Sequence, residues 1–426
     1  MLAAALAPRL ARHGIHYGWV MVALTFLVSI CTSAAVSLPG VLILPMSRDL
    51  GWGRGEVSGA MGLMFLLFAV TAPFAGALLL RYGLRRMVVT GTGLATLCVL
   101  GVTRATEPWH VWVAFGVLGL AAGMLALVLS ATVVNRWFAE RRGLAMGILT
   151  AAFAAGQLSF LPAAAALAEV QGWRMAVLPA VAGLGVCSLL YVLFARDWPA
   201  DLGLAPFGAA AVVRPTTPPK GNAVAISLNL LAEASATRAF WILAGTFFVC
   251  GLSSTGIVSQ HFIPFCADNG VGAVTAASYL ALMGVFNFLG TVGSGWLSDR
   301  VDNRTLLACY YVLRGLSLVW LPFGSFDMFT LTLWAVFFGL DFVATVPPTV
   351  RLTAQHFGPE KAAVVFGWIF AAHQLGSATS ALFAGIWRDA VATYLPAFVT
   401  VGLVSVLAGA VVLALRQAQP ASPRPA

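Results

Sequence analysis

This chain is expected to fold as an all-α membrane protein, with twelve transmembrane helices in two pseudo-symmetric six-helix halves. Composition is the first reason. Of 426 residues, 60% are hydrophobic and 9% are charged, and the mean hydropathy is +0.92. A soluble domain carries about 25% charged residues, so the solvent for this surface must be lipid. An internal repeat is the second reason. Gly76 opens GALLLRYGLRR, and Gly295 opens GWLSDRVDNR 219 positions later. Gly147 and Gly156 frame GILTAAFAAG, and Gly367 and Gly376 frame GWIFAAHQLG at an offset of 220. One offset kept at two places marks a duplicated chain, a plan common among membrane bundles whose halves face each other. Charge placement is the third reason and needs the helix count first.

A spanning helix needs about 20 apolar residues. Twelve such runs are read at about 18–45, 57–80, 87–104, 111–135, 143–168, 175–195, 239–264, 273–297, 305–325, 328–350, 362–386 and 393–415. Arg9, Arg12 and His13 precede the first run, which is too long for the apolar core of a signal peptide and is read as a helix that stays. The one long polar stretch, 197–237, holds RDWPADLGLAPFG and VVRPTTPPKGN. Its Pro and Gly content predicts an irregular linker, with a short surface helix near Ser227–Ala236. The chain therefore divides into an N-terminal half, 1–196, the linker, and a C-terminal half, 238–426.

With an inside N-terminus, twelve crossings place eighteen of the 24 Lys and Arg residues on the cytoplasmic side and five outside, leaving Arg314 within a span. Dropping any one helix would reverse every later loop and destroy this bias. The positive-inside rule thus supports the count and puts both termini in the cytoplasm. It also accounts for the net charge of +9, so no nucleic-acid partner is expected. Six cysteines without a CxxC pair read as small buried hydrophobes, not as a disulfide framework or zinc site. No Walker-type GxxxxGKS/T, HExxH or GxSxG is present, so neither ATP-driven nor hydrolytic chemistry is expected, and no cofactor or metal. One duplicated chain already supplies both halves, which favours a functional monomer.

The two repeated loops resemble the signature of the major facilitator superfamily, Gly-x-x-x-Asp-Arg-x-Gly-Arg-Arg between helices two and three. Gly76, Arg81, Gly83, Arg85 and Arg86 match it, with Leu80 where the Asp is expected, and Gly295, Asp299, Arg300 and Arg304 keep it in the second half. The resemblance covers nearly the whole chain. It implies that these loops brace one state of the bundle through a charge contact between the halves, whereas on composition alone the arginines are simple inside anchors. HYGWVMV (His16–Val22), NRWFAERRGLAMG (Asn135–Gly147) and RDWPADLGLAPFG resemble the monocarboxylate-porter and oxalate/formate-antiporter-like branch, whose members carry small organic anions. Members with assigned substrates often hold the carboxylate with an Arg in helix eight or a Lys in helix eleven. Helix eight here has neither, and helix eleven has His373.

The resemblance implies a proton-linked secondary transporter for a small organic solute, with a carboxylate anion favoured, in a bacterial-type inner membrane. Two other readings stay open. Proton-antiport efflux of amphipathic compounds would call for Gly-Pro-x-x-Gly-Gly in helix five, where this chain has SFLPAA. A transporter-derived membrane sensor would bind a ligand without moving it.

Asp341 and Arg314 are the only acid and the only base placed deep in a span. An ionisable group at the bilayer centre costs about 2.5–3.5 kcal/mol, so each needs a reason. Counted from the cytoplasmic ends of helices nine and ten, the two fall at one depth, where a direct pair is within reach. Such a pair is either a structural salt bridge or a proton-coupling switch, with Asp341 as the proton site. His373 and His261 each sit on an apolar helix face, as packing residues or as solute contacts. Gln157, Asn287 and Gln374 are the large polar residues at lipid depth and are read as lining a cavity. Pro347–Pro348 should kink helix ten near its cytoplasmic end.

Overall fold

The structure is a computed structural model, and it describes residues 2–125, 127–212 and 223–415. Regular structure among them is helical, apart from one isolated parallel bridge between Phe138 and Phe207. Ten helical stretches are long and apolar enough to cross a membrane: Gly18–Leu50, Arg54–Phe74, Leu84–Val102, Pro108–Trp137, Trp173–Phe194, Arg238–Asp268, Ala273–Ser298, Asn303–Phe323, Met328–Phe357 and Leu395–Val412. Two more helices, Arg142–Gln171 of 30 residues and Pro359–Val391 of 33, take the fifth and eleventh places. These twelve are spans 1 to 12 in chain order, as the apolar runs predict.

The ends differ from expectation in three places. Span 1 continues to Leu50 through Pro39 and Pro45, and stops where Gly51 turns left-handed at φ +70°. A further helix, Leu2–Arg12, precedes it. Its Ala3 and Ala7 are buried, with Leu6 and Leu10 against the same core, a one-sided pattern that a search for spans overlooks. The linker is not irregular throughout. Residues 197–212 fold back, with the Phe207 N–H donating to Trp137 O at 2.8 Å and the Ala139 N–H to Phe207 O at 2.8 Å. The linker helix is Ala223–Ser235, close to its expected place.

The duplication is visible in packing. A Cβ added at Gly156 of span 5 would lie 2.6 Å from Ile30 O of span 1, and one at Gly376 of span 11 would lie 2.0 Å from Phe248 O of span 7. The same close crossing is therefore made twice, once in each half. Gly147 and Gly367, the first members of each repeated glycine pair, have nothing within 4 Å. Interruption is also duplicated. Span 4 ends one segment at Met124 and resumes at Leu127, and span 10 ends one at Asp341 and resumes at Val346.

The apolar cores show how the halves meet. One end of the bundle carries the start of span 1 and the end of span 12; the opposite end is called here the far face. Toward the far face a single core joins both halves, holding Leu42, Met61 and Phe65 of the first together with Phe262 and Ala381 of the second. Toward the termini each half closes its own core, around Trp137 and Tyr191 in the first and around Phe247 and Tyr311 in the second. The apolar core that the halves share therefore lies toward the far face, while toward the termini Phe74 of span 2 still meets Trp368 of span 11 at 5.7 Å.

Candidate functional site

Span 10 breaks because Pro347 and Pro348 lack the amide hydrogens that would bond the carbonyls of Val343 and Ala344. Ser294 Oγ of span 8 donates to Ala344 O at 2.5 Å instead. The first segment ends at Asp341, leaving carbonyls at its C-terminus that attract a cation. Arg314 of span 9 supplies it. Its Nη2 donates to Asp341 O at 2.6 Å and Phe342 O at 3.2 Å, and its Nε donates to Asp341 Oδ2 at 2.5 Å. Its Nη1 reaches Cys250 Sγ at 3.0 Å and Ser253 Oγ at 3.4 Å. Every one of the five guanidinium N–H groups has an acceptor. Arg314 is fully buried and Asp341 nearly so, yet Asp341 Oδ1 finds no hydrogen-bond partner among the described residues. The pair read from helical depth is therefore direct.

Sequence reasoning missed the third member of this cluster. Span 7 passes through a π-helical segment, Leu252–Val258, that begins two residues after Cys250. Such segments open the backbone ladder and are frequent at functional sites. Cys250 Sγ lies 3.2 Å from Thr345 Oγ1, within the span 10 break, and it is also within reach of the His373 side chain. The available signal was glycine spacing: a Cβ at Gly251 would fall 1.8 Å from His373 O, and one at Gly256 would fall 2.7 Å from Ser380 Cβ.

The other candidates separate. His373 is half-buried, with Nδ1 3.1 Å from Gln374 Oε1 and its ring stacked on Phe370 at 5.7 Å. Phe370 in turn meets Phe68 of the opposite half at 6.0 Å, so His373 stands beside the seam between the halves. His261 is fully buried, with Nε2 2.8 Å from Ala381 O. Asn287 is buried and accepts from Thr291 Oγ1 at 3.1 Å within its own helix. The Gln157 side chain lies outside the described residues.

The signature loops differ between halves. In the second, Asp299 pairs with Arg351 of the same half, Arg300 covers the Trp296 ring at 4.1 Å, and Arg304 reaches Asp302 at 2.9 Å and Leu415 O at 2.8 Å. The Arg304 guanidinium holds the Asp302 carboxyl below its ordinary range. In the first half, where Leu80 replaces the acid, Asp197 arrives from the linker. Its Oδ1 accepts the Arg85 N–H at 2.8 Å, where Gly83 at φ +82° leaves room for the carboxylate. Arg85 also donates to Val192 O, and Arg136 covers the Trp198 ring at 4.2 Å. Gly76 has only Val128 near its Cβ direction, and Gly295 has nothing within 4 Å. In this state the loop acids make their ionic contacts inside one half.

The far face carries a cavity of about 810 Å³, lined by Arg48, Asp49, Glu169, Trp173 and Arg174 of the first half and Gly270 to Ala273 of the second. It lies at the span ends, away from Arg314 and Asp341.

Comparison with known proteins agrees with this architecture. The sequence profile of the Major Facilitator Superfamily matches residues 25–381 and 268–426. The chain is 26% identical over 386 residues to the MFS-type transporter YcxA of Bacillus subtilis, covering 88% of this chain and 90% of that protein. It is 25% identical over 411 residues to monocarboxylate transporter 13 of Rattus norvegicus, covering 93% and 88%. A solved peptide transporter, POT, shares the fold at a TM-score of 0.72 and 13% identity, over 92% of this chain and 93% of that one. The chain belongs to the major facilitator superfamily, as a multi-pass membrane transporter and not an enzyme.

Proposed function

We propose that this protein is a proton-coupled secondary transporter that moves a small organic anion by alternating access, with both termini in the cytoplasm of an inner membrane. The observation that carries the reading is the buried Arg314–Asp341 pair with its unpartnered Asp341 Oδ1. While Asp341 is ionised, Arg314 clamps spans 7, 9 and 10 at the break. A proton taken at Oδ1 neutralises the carboxyl and leaves the guanidinium uncompensated in a low-dielectric interior, which is costly. The bundle then favours an arrangement in which an anionic solute supplies the missing charge. Polar contacts run from Asp341 through Arg314 and Cys250 toward His373 and Gln374. These last two residues, beside the seam, are the proposed solute contacts. Asn287, His261 and Gln157 are secondary members of that set. Similarity to monocarboxylate transporters supports the anion class.

The test is solute-dependent proton flux into proteoliposomes, across small mono- and dicarboxylates, with Asp341→Asn in parallel. Proton entry with one acid, lost in the variant, supports the reading. Unchanged coupling in Asp341→Asn removes Asp341 as the proton site, and silence across the panel from folded protein removes the carboxylate class.

A further inference from the structure

Asp268, at the end of span 7, is held from both halves. Arg54, opening span 2, donates Nη1 to Oδ2 at 2.9 Å and Nη2 to Oδ1 at 2.8 Å. Arg388 of span 11 donates Nε to Oδ2 at 2.6 Å and Nη2 to Oδ1 at 3.3 Å. The next residue, Asp389, accepts the backbone N–H groups of Arg54 at 3.1 Å and Gly55 at 2.6 Å. It thus caps span 2 from the opposite half. Among the described residues, Arg54–Asp268 is the only ion pair between the halves.

Beneath this cluster the seam is close but polar. A Cβ on Gly385 would strike Ser58 Oγ at 2.1 Å, and one on Gly40 would meet Ser259 O at 2.9 Å and Gln260 O at 3.0 Å. Gln260 Nε2 makes a long contact to Val36 O, 3.5 Å, across the halves. Ser58 Oγ, Ser259 Oγ and Gln260 Oε1 are buried with no partner among the described residues. A permanent interior pairs the large majority of such groups. A seam that gathers three unpaired groups, from span 2 of one half and span 7 of the other, suits a surface that is shut only part of the time.

We infer that this seam is the closed outer half of the solute path, that Arg54–Asp268–Arg388 is its lock, and that Ser58, Ser259 and Gln260 become its walls on opening. Hydroxyls and an amide, without fixed charge, suit a small solute that accepts and donates hydrogen bonds and that meets its counter-charge deeper in. The inference rests on the alternating-access reading above, and on the apolar core that the halves share toward the far face but not toward the termini.

The experiment labels Ser58→Cys and Ser259→Cys with a membrane-impermeant methanethiosulfonate in right-side-out vesicles, read by peptide mass. Each is made in the otherwise native chain, with Asp268→Asn and, separately, with Arg54→Gln; gel filtration checks folding. Labelling about tenfold faster with the lock broken is expected. Equal rates in all folded backgrounds overturn the lock. Carboxylate flux is followed on the same vesicles. Faster labelling without flux in any background keeps the lock and overturns the transport reading. Flux without labelling of either cysteine keeps transport and overturns the path.

Discussion

Arg314 Nε and Asp341 Oδ2 meet at 2.5 Å where span 10 breaks, and the same guanidinium binds the two carbonyls at the end of the broken segment. One side chain thus serves one oxygen of the acid and the backbone carbonyls at the break. Removing one partner strands a buried charge. Asp341→Ala should lose about 3–5 kcal/mol of stability, read as a lower unfolding temperature in detergent. Arg314→Met with Asp341→Leu should recover most of that loss while proton-coupled flux stays absent. A double variant that couples protons normally would reduce the pair to a structural role.

Pro347 and Pro348 set the break, so Pro347→Ala with Pro348→Ala should let the helix continue through 342–345. Amide exchange in that segment should slow, and solute flux should fall while the protein remains folded. Unchanged exchange would mean that Arg314 and Ser294, not the prolines, hold the break open.

The repeated glycines give a stability contrast. Gly376→Ala places a methyl 2.0 Å from Phe248 O, where backbone must move; a cost of about 1–3 kcal/mol is expected. Gly367→Ala meets nothing within 4 Å and should stay within about 1 kcal/mol of the parent. Thermal unfolding of the two side by side reads the difference directly.

Much of this fold was legible because lipid imposes a simple pattern. Apolar run length marked the twelve spans, and the Gly76/Gly295 offset marked the two halves. Matching depth in antiparallel neighbours brought Arg314 to Asp341. What stayed hidden depends on contacts between residues distant in sequence. Asp268 is 214 positions from Arg54 and 120 from Arg388, and nothing local marks it as their hub. Asp197 stands in for the acid missing at Leu80 only because the linker folds back. The π-helical segment of span 7 lies against span 11, with Gly251 and Gly256 at the close approach, a crossing between residues distant in sequence. Cys250, read as a small hydrophobe, sits on Arg314, 64 positions away.

The outer seam permits a covalent test of alternation. A Cβ on Gly62 would lie 3.0 Å from Leu382 Cβ across the halves, slightly inside the ordinary disulfide range of about 3.5–4.5 Å. Gly62→Cys with Leu382→Cys should therefore cross-link under copper phenanthroline and lose flux, and dithiothreitol should restore it. A cross-linked protein that still transports would show that this seam need not open.

The most direct measurement is proton entry into proteoliposomes driven by a gradient of a small carboxylate, compared between the native chain and Asp341→Asn. The account predicts entry with at least one acid for the native chain and none for the folded variant. Equal proton entry in both would contradict it.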